Sequence, residues 1–207
     1  MSDGVSMGRS PIRAVTVFCG ASHGGRAAYT TGAFALGREI ASRGMTLIYG
    51  GGRAGLMGAV ADAALGAGGR VVGVITELLK DRELGHTGIQ ELRVVPTMHE
   101  RKMLMADMAD AFVALPGGLG TLDELFEILA WAQLGIHAKP VGILNDEGYY
   151  DALMTFLDHV ERENFLRLNH RTEIVFERDV RTLMDRLADV APKGARFPSS
   201  GQAPGRA

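Results

Sequence analysis

A chain of 207 residues with 46% hydrophobic and 22% charged residues can bury one substantial core, which predicts a single globular domain. The formal net charge of −2 excludes the global basic field that draws proteins to nucleic acid or to an anionic membrane, and no apolar run approaches the roughly 18 residues of a membrane span. We therefore expect neither nucleic acid nor a membrane as a partner. The one cysteine, Cys19, excludes an intrachain disulfide framework.

The two ends of the chain differ in composition from its middle. Residues 1–11 lack the apolar core of a signal peptide, which favours a cytoplasmic location and a disordered lead. Residues 191–207 are rich in proline, glycine and serine, which predicts a disordered tail. The folded unit is therefore expected over residues 12–190.

Apolar strands and periodic helices alternate along the middle of the chain. Short β-branched runs predict strands over residues 14–19, 45–49, 71–75, 91–95, 111–115, 141–144 and 173–176. Helical spacing of apolar residues predicts helices over residues 29–42, 56–65, 100–108, 122–134, 149–161 and 179–190. The polar stretch between the third and fourth strands is expected to be irregular.

The predicted strands are apolar along their whole length rather than at every second residue. This pattern indicates a parallel sheet that helices cover on both faces. We therefore predict a doubly wound α/β fold. In such folds ligands bind outside the carboxyl ends of the strands, near the point where the strand order reverses.

Three glycine-rich turns fall at predicted strand ends, over residues 20–25, 50–58 and 115–124, and we expect them to meet at one crevice. In the third turn, Gly117, Gly118 and Gly120 stand where a strand gives way to a helix. Glycine lets backbone N–H groups turn toward a ligand, and the positive end of the helix dipole favours a phosphate. The turn therefore predicts an anion site.

The same turn also fits a simpler interpretation. Thr121 and Glu124 have the spacing of a capping box, in which two side chains satisfy the free N–H groups at a helix start. On either interpretation, Asp123 and Glu124 are expected in the first helical turn. A cap needs one small polar residue rather than a cluster of glycines, so we favour the ligand loop.

The second turn contains Gly50, Gly52 and Gly55 in the spacing of a dinucleotide fingerprint. That fingerprint expects an acidic residue at the end of the next strand, where Thr76 stands, with Glu77 one residue further on. A nicotinamide cofactor is therefore disfavoured. Close packing of helix against strand explains these glycines equally well.

Two cations open the helix that precedes the fifth strand. Arg101 and Lys102 lie near its start, where a positive charge opposes the helix dipole. The arrangement suggests an anionic partner, either a ligand phosphate or Glu124 across the crevice. Two solvated surface cations are the alternative.

Taken together, these motifs resemble the LOG family, the cytokinin riboside 5′-monophosphate phosphoribohydrolases. The matching segments are Phe18-Cys-Gly-Ala-Ser22, Tyr49-Gly-Gly-Gly52, Gly55-Leu-Met-Gly58, Met98-His-Glu-Arg-Lys102, Pro116-Gly-Gly-Leu-Gly-Thr-Leu-Asp-Glu124, Trp131-Ala-Gln-Leu-Gly135, Lys139-Pro-Val-Gly-Ile-Leu-Asn145 and Gly148-Tyr-Tyr150. The resemblance implies a Rossmann-like homodimer. It also implies hydrolysis of the N-glycosidic bond of a purine nucleoside 5′-monophosphate, which frees the base and ribose 5-phosphate.

The resemblance also assigns site residues. It places the catalytic residues at Arg101 and Glu124. The implied substrate-binding residues are Glu83, Arg101, Lys102, Gly117, Gly118, Leu119, Gly120, Thr121, Leu122 and Asp123, and the crevice lining is expected to include Gly20, Ser22, Gly51 and Gly52. Two departures from the family pattern, at Thr76-Glu77 and Ala130, concern the base preference.

The chemistry asks for a positioned water, a stabilised oxocarbenium-like sugar and help for the departing base. Glu124 suits the first two tasks as an anion. Arg101 could hold the phosphate, hold the ribose or steady Glu124, and its permanent charge makes it a poor proton donor. We expect Glu83 to contact the base or the ribose.

Three other functions are weighed against this one. A pyridoxal phosphate enzyme needs a lysine for its Schiff base, and the chain has four, Lys80, Lys102, Lys139 and Lys193. A non-catalytic nucleotide or cofactor carrier would use the glycine loops but would give Arg101 and Glu124 no purpose. A general purine monophosphate nucleosidase would differ from the enzyme implied by the resemblance only in its base preference. The six histidines are scattered without ligand spacing, so we expect no metal and no cofactor.

Overall fold

The structure, a computed structural model, describes residues 12–83, 85–166 and 174–191, and the side chains of residues 81–83 are outside that description. The predicted lead and almost all of the predicted tail lie outside the described residues. Ala191, which we assigned to the tail, is buried in the core, and its N–H donates to the Leu187 carbonyl at 3.1 Å. The described fold therefore includes Ala191, one residue beyond the predicted boundary.

All seven predicted strands are present, with each end within one residue of its prediction. They are β1 (Ala14–Phe18), β2 (Thr46–Tyr49), β3 (Arg70–Thr76), β4 (Glu91–Val95), β5 (Ala111–Ala114), β6 (Val141–Leu144) and β7 (Ile174–Glu177). The helices of the described chain are α1 (Ala27–Ser42), α2 (Gly55–Gly66), α3 (Glu77–Glu83), α4 (Met98–Met108), α5 (Leu119–Gln133), α6 (Asp151–Arg162) and α7 (Val180–Val190). A single 3₁₀ turn, Asp146–Gly148, precedes α6.

The seven strands form one sheet in the order β4-β3-β2-β1-β5-β6-β7, and the pairings between neighbouring strands are all parallel. The chain moves outward from β1 to β4 and then returns to the other side of β1 with β5. The strand order therefore reverses between β1 and β5, which confirms the predicted doubly wound, Rossmann-like α/β fold and puts its ligand crevice at the carboxyl ends of these two strands.

Alternate residues of the strands inside the sheet serve two separate cores, whereas the edge strand β4 is only partly buried. In β1, Val15 and Val17 pack into the core under α1, α2 and α7, whereas Phe18 packs into the core under α4, α5 and α6. Thr16 also faces α4, where its hydroxyl donates to the Met105 carbonyl at 2.9 Å. Because both faces of the sheet are covered, the strands are apolar along their length, as the sequence pattern predicts.

The stretch after β3, which we expected to be irregular, contains the short helix α3. Thr76 is buried at the end of β3, and its hydroxyl accepts a hydrogen bond from the Leu79 N–H at 3.3 Å. This capping bond starts a helix whose polar sequence gives little apolar periodicity. None of the helices in the described part of the chain combines the length and apolarity that crossing a membrane requires.

Candidate active site

Backbone hydrogen bonds join the three glycine-rich turns at the carboxyl edge of the sheet. The Gly20 N–H donates to the Pro116 carbonyl at 3.0 Å, which joins the first turn to the third. The Gly20 carbonyl accepts from the Leu56 N–H, also at 3.0 Å, which joins the first turn to the second. The structure thus brings the turns together beside the point where the strand order reverses, between β1 and β5.

Helix α5 begins three residues earlier than predicted, and the predicted capping box is wrong. The cap position is Gly118, and no side chain caps the helix, so Asp123 and Glu124 lie in the second turn rather than the first. Glu124 points instead to Arg101 of α4, which is a stronger partner for a carboxylate than a backbone N–H.

A threonine side chain does cap the start of α4. The Thr97 hydroxyl accepts from the Glu100 N–H at 3.1 Å and lies 3.0 Å from the Glu100 carboxylate. The cap fixes the first turn of α4, which carries Arg101 at its end.

The start of α5 presents a row of free backbone donors. Within the described residues, the N–H groups of Gly118, Leu119, Gly120 and Thr121 donate to no protein acceptor. The first N–H groups of any helix lack partners within it, and they carry the positive end of the helix dipole. Such a row is an anion site.

The glycines of this turn have different steric causes. A Cβ at Gly117 would stand 2.1 Å from the Thr121 hydroxyl and 2.8 Å from the Gly20 nitrogen, so this glycine is required by packing within the protein. A Cβ at Gly118 or Gly120 would meet no protein atom within 4 Å. Packing within the protein therefore does not require glycine at these two positions. A closely bound anion would require it, because a side chain there would obstruct the approach of the anion.

Arg101 is buried at the centre of the site, with 6% of its surface exposed. Its Nε donates to the Val74 carbonyl of β3 at 2.9 Å, its Nη2 to the Gly50 carbonyl at 3.3 Å, and its Nη1 to Glu124 at 3.0 Å. The guanidinium thus links β3, the turn after β2 and helix α5. Of the two anionic partners that we considered for Arg101, the structure provides Glu124.

Glu124 is also buried, with 9% of its surface exposed, and it forms a salt bridge with Arg101 at 3.0 Å. A buried carboxylate needs such a partner because desolvation strongly disfavours an isolated charge. The neighbouring Cys19, at the end of β1, senses both charges. Burial raises the pKa of the Cys19 thiol far above its ordinary value, Glu124 raises it further and Arg101 opposes the rise, so the thiol stays protonated and is not a nucleophile.

Lys102 binds two carboxylates of α5, Asp123 at 3.2 Å and Glu127 at 3.1 Å. Partial burial lowers the pKa of its amine, but the hydrogen bonds to Glu127 and Asp123 outweigh burial and leave the pKa above its ordinary value. A charged, doubly paired amine does not form a Schiff base readily. Asp123 is exposed, and Glu127 was not predicted from the sequence.

The remaining lysines fit a pyridoxal phosphate site no better. Lys139 donates to the Ala106 carbonyl at 2.7 Å and lines an apolar cavity apart from the glycine turns, and Lys80 lies on the surface of α3. Lys193 lies outside the described residues. Thus none of the described lysines offers a neutral amine at the crevice.

Packing explains the glycines of the second turn. A Cβ at Gly50 would stand 2.2 Å from the Arg101 Nη2, and a Cβ at Gly55 would stand 2.3 Å from the Ser22 nitrogen. Gly51 and Gly52 turn toward the segment before β4: the Gly51 carbonyl accepts from the His86 N–H at 3.0 Å, and Gly52 forms a bridge with Gly85. The dinucleotide interpretation is therefore not needed to explain the fingerprint.

Among the other predicted site residues, one has a side chain that lies outside the described part of the structure. Glu83 is the last residue of α3, and its side chain is outside the described part. Leu119 is 86% exposed at the start of α5, and Leu122 is partly buried. The described residues contain no group of three or more His, Cys, Asp or Glu side chains that could hold a metal ion.

Sequence analysis missed the contribution of two tyrosines. The Tyr149 hydroxyl donates to the Gly117 carbonyl at 2.5 Å, and the Tyr150 hydroxyl donates to the Leu115 carbonyl at 2.7 Å. Both reach the β5–α5 turn from the connection between β6 and α6. The sequence predicts a helix from residue 149 and matches Gly148-Tyr-Tyr150 to the family pattern, but neither observation specifies a partner for the two hydroxyls.

An apolar cavity of about 770 Å³ lies apart from the crevice, between the second half of α5 and α6. Its lining includes Phe126, Ala130, Phe156, Val160 and Phe165, and it includes none of the predicted site residues. Ala130 therefore lines this cavity, whereas Glu124 does not.

Solved structures show the same fold at low sequence identity. The molybdenum cofactor binding protein of Rippkaea orientalis has a TM-score of 0.66 at 20% identity, covering 87% of this chain and 98% of that one. A molybdenum cofactor carrier protein of Chlamydomonas reinhardtii has a TM-score of 0.64 at 19% identity over the same shares. At these identities the likeness extends to the fold alone.

Sequence comparisons identify the family. A family model described as "Possible lysine decarboxylase" matches residues 57–187. A probable cytokinin riboside 5′-monophosphate phosphoribohydrolase of Oryza sativa subsp. japonica is 48% identical over 93% of this chain and 84% of its own length. A cytokinin riboside 5′-monophosphate phosphoribohydrolase of Arabidopsis thaliana is 47% identical over 91% of this chain and 88% of its own. The chain therefore belongs to the family that this model describes, together with the cytokinin riboside 5′-monophosphate phosphoribohydrolases.

Proposed function

We propose that this protein hydrolyses the N-glycosidic bond of N6-modified adenosine 5′-monophosphates, which releases the free base and ribose 5-phosphate and so activates cytokinins. The observation that carries the proposal is the buried Arg101–Glu124 pair, 3.0 Å apart, beside a helix start with a row of free N–H donors. A carboxylate next to an anion site suits a substrate that has a phosphate at one end and a sugar carbon to be attacked at the other. The names of relatives that are 44–48% identical support the same reaction.

The glycine loop anchors the substrate. The N–H groups from Gly118 to Thr121 hold the 5′-phosphate at the positive end of α5, and the missing side chains of Gly118 and Gly120 let the phosphate approach closely. A fixed phosphate fixes the position of C1′ relative to Glu124. Positioning of this kind removes much of the entropic barrier to reaction.

Glu124 acts on the sugar and the water. As an anion it orients a water molecule, takes up its proton as the oxygen bonds to C1′, and offsets the positive charge that develops on the ring. The bond between C1′ and the base breaks, and the base leaves with the bonding electron pair and takes a proton from solvent water. Glu124 then returns the proton that it accepted to solvent. The same carboxylate logic operates in glycoside hydrolysis.

Arg101 holds Glu124 in place. Its Nε and Nη2 are already bonded to the carbonyls of Val74 and Gly50, and its Nη1 to Glu124, so the guanidinium has a fixed orientation before substrate arrives. Because the guanidinium remains charged, it stabilises the anionic form of the carboxylate and does not protonate the base. This assignment selects one of the three roles that the sequence left open.

The other substrate contacts remain proposals. Lys102, Asp123 and the exposed Leu119 border the loop, and we assign them, together with Leu122 and Glu83, to substrate binding. Lys102 pairs with Asp123 in the second turn of α5, and we assign its positive charge to the phosphate end of the substrate.

We also propose that the protein forms a homodimer and that it is cytoplasmic. The apolar cavity beside α6 is bordered by exposed large hydrophobic side chains, including Phe156 at 57% and Phe165 at 81%, and contiguous apolar surface of this kind marks protein interfaces. The free, buried thiol of Cys19 fits a reducing compartment. Sedimentation velocity tests the dimer, and a monomer at all concentrations would contradict it.

Chromatographic measurement of free base tests the proposed reaction. The purified protein is incubated with AMP, GMP, CMP and N6-isopentenyl-AMP. We expect release of base from the two adenine nucleotides and the faster rate with N6-isopentenyl-AMP. Comparable rates with AMP and GMP would indicate a general purine monophosphate nucleosidase, and nucleotide binding without release from any compound would indicate a carrier. An absorbance scan of the same sample, in which we expect no bound pyridoxal phosphate, tests the decarboxylase alternative.

A further inference from the structure

We infer that Tyr149 is a positioning residue that sets the phosphate-binding orientation of the glycine loop. Its hydroxyl donates to the Gly117 carbonyl at 2.5 Å, yet Tyr149 belongs to the β6–α6 connection and not to the loop itself. The inference rests on the proposed function insofar as it takes the start of α5 to be a phosphate site.

Three consecutive carbonyls of the β5–α5 turn are held from outside the turn. The Leu115 carbonyl accepts from the Tyr150 hydroxyl, the Pro116 carbonyl from the Gly20 N–H, and the Gly117 carbonyl from the Tyr149 hydroxyl. The turn therefore enters α5 with every carbonyl before the cap residue already bonded. Only its N–H groups are left for a ligand.

The bond from Tyr149 controls one N–H group in particular. In a trans peptide unit the C=O and the following N–H point in opposite directions, so a hydroxyl on the Gly117 carbonyl aims the Gly118 N–H away from Tyr149. Glycine on both sides makes this the peptide unit of the turn with the widest conformational freedom. Without an external bond, it could rotate and present its carbonyl oxygen to the anion instead.

Tyr149 is itself held rigidly. Its ring makes edge contacts with Tyr29 of α1, with centroids 5.5 Å apart, and with Tyr150, with centroids 4.8 Å apart. Asn145 fixes the segment behind it, because its side-chain oxygen accepts from the Tyr150 N–H at 2.8 Å and its amide donates to Asp151 at 2.6 Å. The hydroxyl is thus placed before a ligand arrives, which is what preorganisation requires.

Tyr150 provides a matched control. It is the next residue, its hydroxyl also donates to a carbonyl of the same turn, and it is buried, whereas Tyr149 is 40% exposed. However, the Leu115 carbonyl that it binds is followed by Pro116, which has no N–H to orient. Loss of the Tyr150 hydroxyl therefore removes a hydrogen bond of the fold without freeing a phosphate donor.

Calorimetric titration with ribose 5-phosphate and with adenosine tests the inference on wild type, Tyr149→Phe and Tyr150→Phe. We expect Tyr149→Phe to weaken ribose 5-phosphate binding about tenfold, the loss expected for one hydrogen bond to an anion, and to leave adenosine binding unchanged. We expect Tyr150→Phe to lower the melting temperature by a few degrees and to keep the affinity for ribose 5-phosphate within about twofold. Unchanged ribose 5-phosphate affinity in Tyr149→Phe, or an equal loss for adenosine, would overturn the inference.

Steady-state kinetics on N6-isopentenyl-AMP add a second readout. Tyr149→Phe should raise KM about tenfold with kcat within about threefold of wild type, because the altered group lies at the phosphate and not at C1′. A fall in kcat alone would overturn the positioning role. If wild type releases no base from any nucleotide, the proposed reaction fails, but the ribose 5-phosphate titration still decides whether Tyr149 orients an anion site.

Discussion

Replacing Glu124 with glutamine separates the charge of this side chain from its shape. In the wild-type protein the Arg101 Nη1 lies 3.0 Å from the Glu124 carboxylate. The glutamine amide oxygen can accept the same hydrogen bond, so the link between α4 and α5 is retained. The variant cannot take a proton from water or offset positive charge on the ribose. We therefore expect kcat on N6-isopentenyl-AMP to fall by at least about a hundredfold, or about 2.7 kcal/mol of barrier, the lower range for loss of an acid–base group.

The same change also affects stability, and the two effects must be separated. Arg101 is 6% exposed, and after the substitution it keeps its bonds to the Val74 and Gly50 carbonyls but loses its counter-charge. The hydrogen bond that remains joins a charged group to a neutral one and is weaker than one between opposite charges, so we expect a lower melting temperature but a folded protein. A thermal melting curve first shows that the variant is folded at the assay temperature. Single-turnover measurements on that protein then report the chemical step alone.

Glu39→Gln is the matched control for Glu124→Gln. Glu39 of α1 is 19% exposed, pairs with Arg43 at 2.7 Å and lies outside the glycine turns, so this variant also removes the charge from a partly buried arginine pair. We expect it to lose some stability and to keep kcat within about twofold. Wild-type turnover in Glu124→Gln would refute the catalytic role of Glu124, and a comparable loss of kcat in Glu39→Gln would show that destabilisation explains the result.

Four further substitutions follow from the structure. Arg101→Ala should lower kcat at least about a hundredfold and cost about 3–5 kcal/mol of stability, because it removes one partner of a buried salt bridge. Near-normal turnover would remove Arg101 from the site. Gly117→Ala should lower both melting temperature and turnover, since its Cβ would stand 2.1 Å from the Thr121 hydroxyl. Gly118→Ala should keep the melting temperature and raise KM, because its Cβ would meet no protein atom within 4 Å. Equal losses of stability in the two variants would contradict the distinction between a glycine required by packing and one required by the ligand. Burial, and then the charge of Glu147, raises the pKa of Asp146 from 3.8 to about 6, so the ionised group destabilises the fold increasingly as the pH rises from about 4 to 6. After discounting for its partial exposure, Asp146→Asn should gain about 1 kcal/mol, or about 2–4 °C, at pH 7.5 and less at pH 4.5, and a gain independent of pH would contradict this reasoning.

The sequence was sufficient to predict the sheet but not the local start of α5. Strands buried on both faces have an unbroken apolar pattern, and the ends of β4 and β6 were predicted without error. The capping box at Thr121 and Glu124 failed because it is a local pattern, and the long-range partner Arg101, 23 residues away, takes the carboxylate instead. The cap that does form, Thr97 with the Glu100 N–H, has no such competitor among the described contacts.

The site shows a similar division. The carboxyl ends of parallel strands lie at one edge of a sheet, so the meeting of the three glycine turns followed from the fold class. The direction in which each side chain points did not, because Arg101 reaches the carbonyls of Val74 and Gly50 across elements far apart in sequence. The hydroxyl contacts of Tyr149 and Tyr150 were missed for the same reason, since nothing in a Tyr-Tyr pair specifies a carbonyl more than thirty residues earlier.

Phosphate binding by the glycine loop is tested by comparing kcat/KM for N6-isopentenyl-AMP with kcat/KM for N6-isopentenyladenosine. The two compounds share the base, the ribose and the bond to be broken, and only the first can bind the row of N–H groups at the start of α5. Because a phosphate there accepts several charge-assisted hydrogen bonds, we predict a preference of at least about a hundredfold for the monophosphate. Equal values for the two substrates would contradict the assignment of the glycine loop to the phosphate.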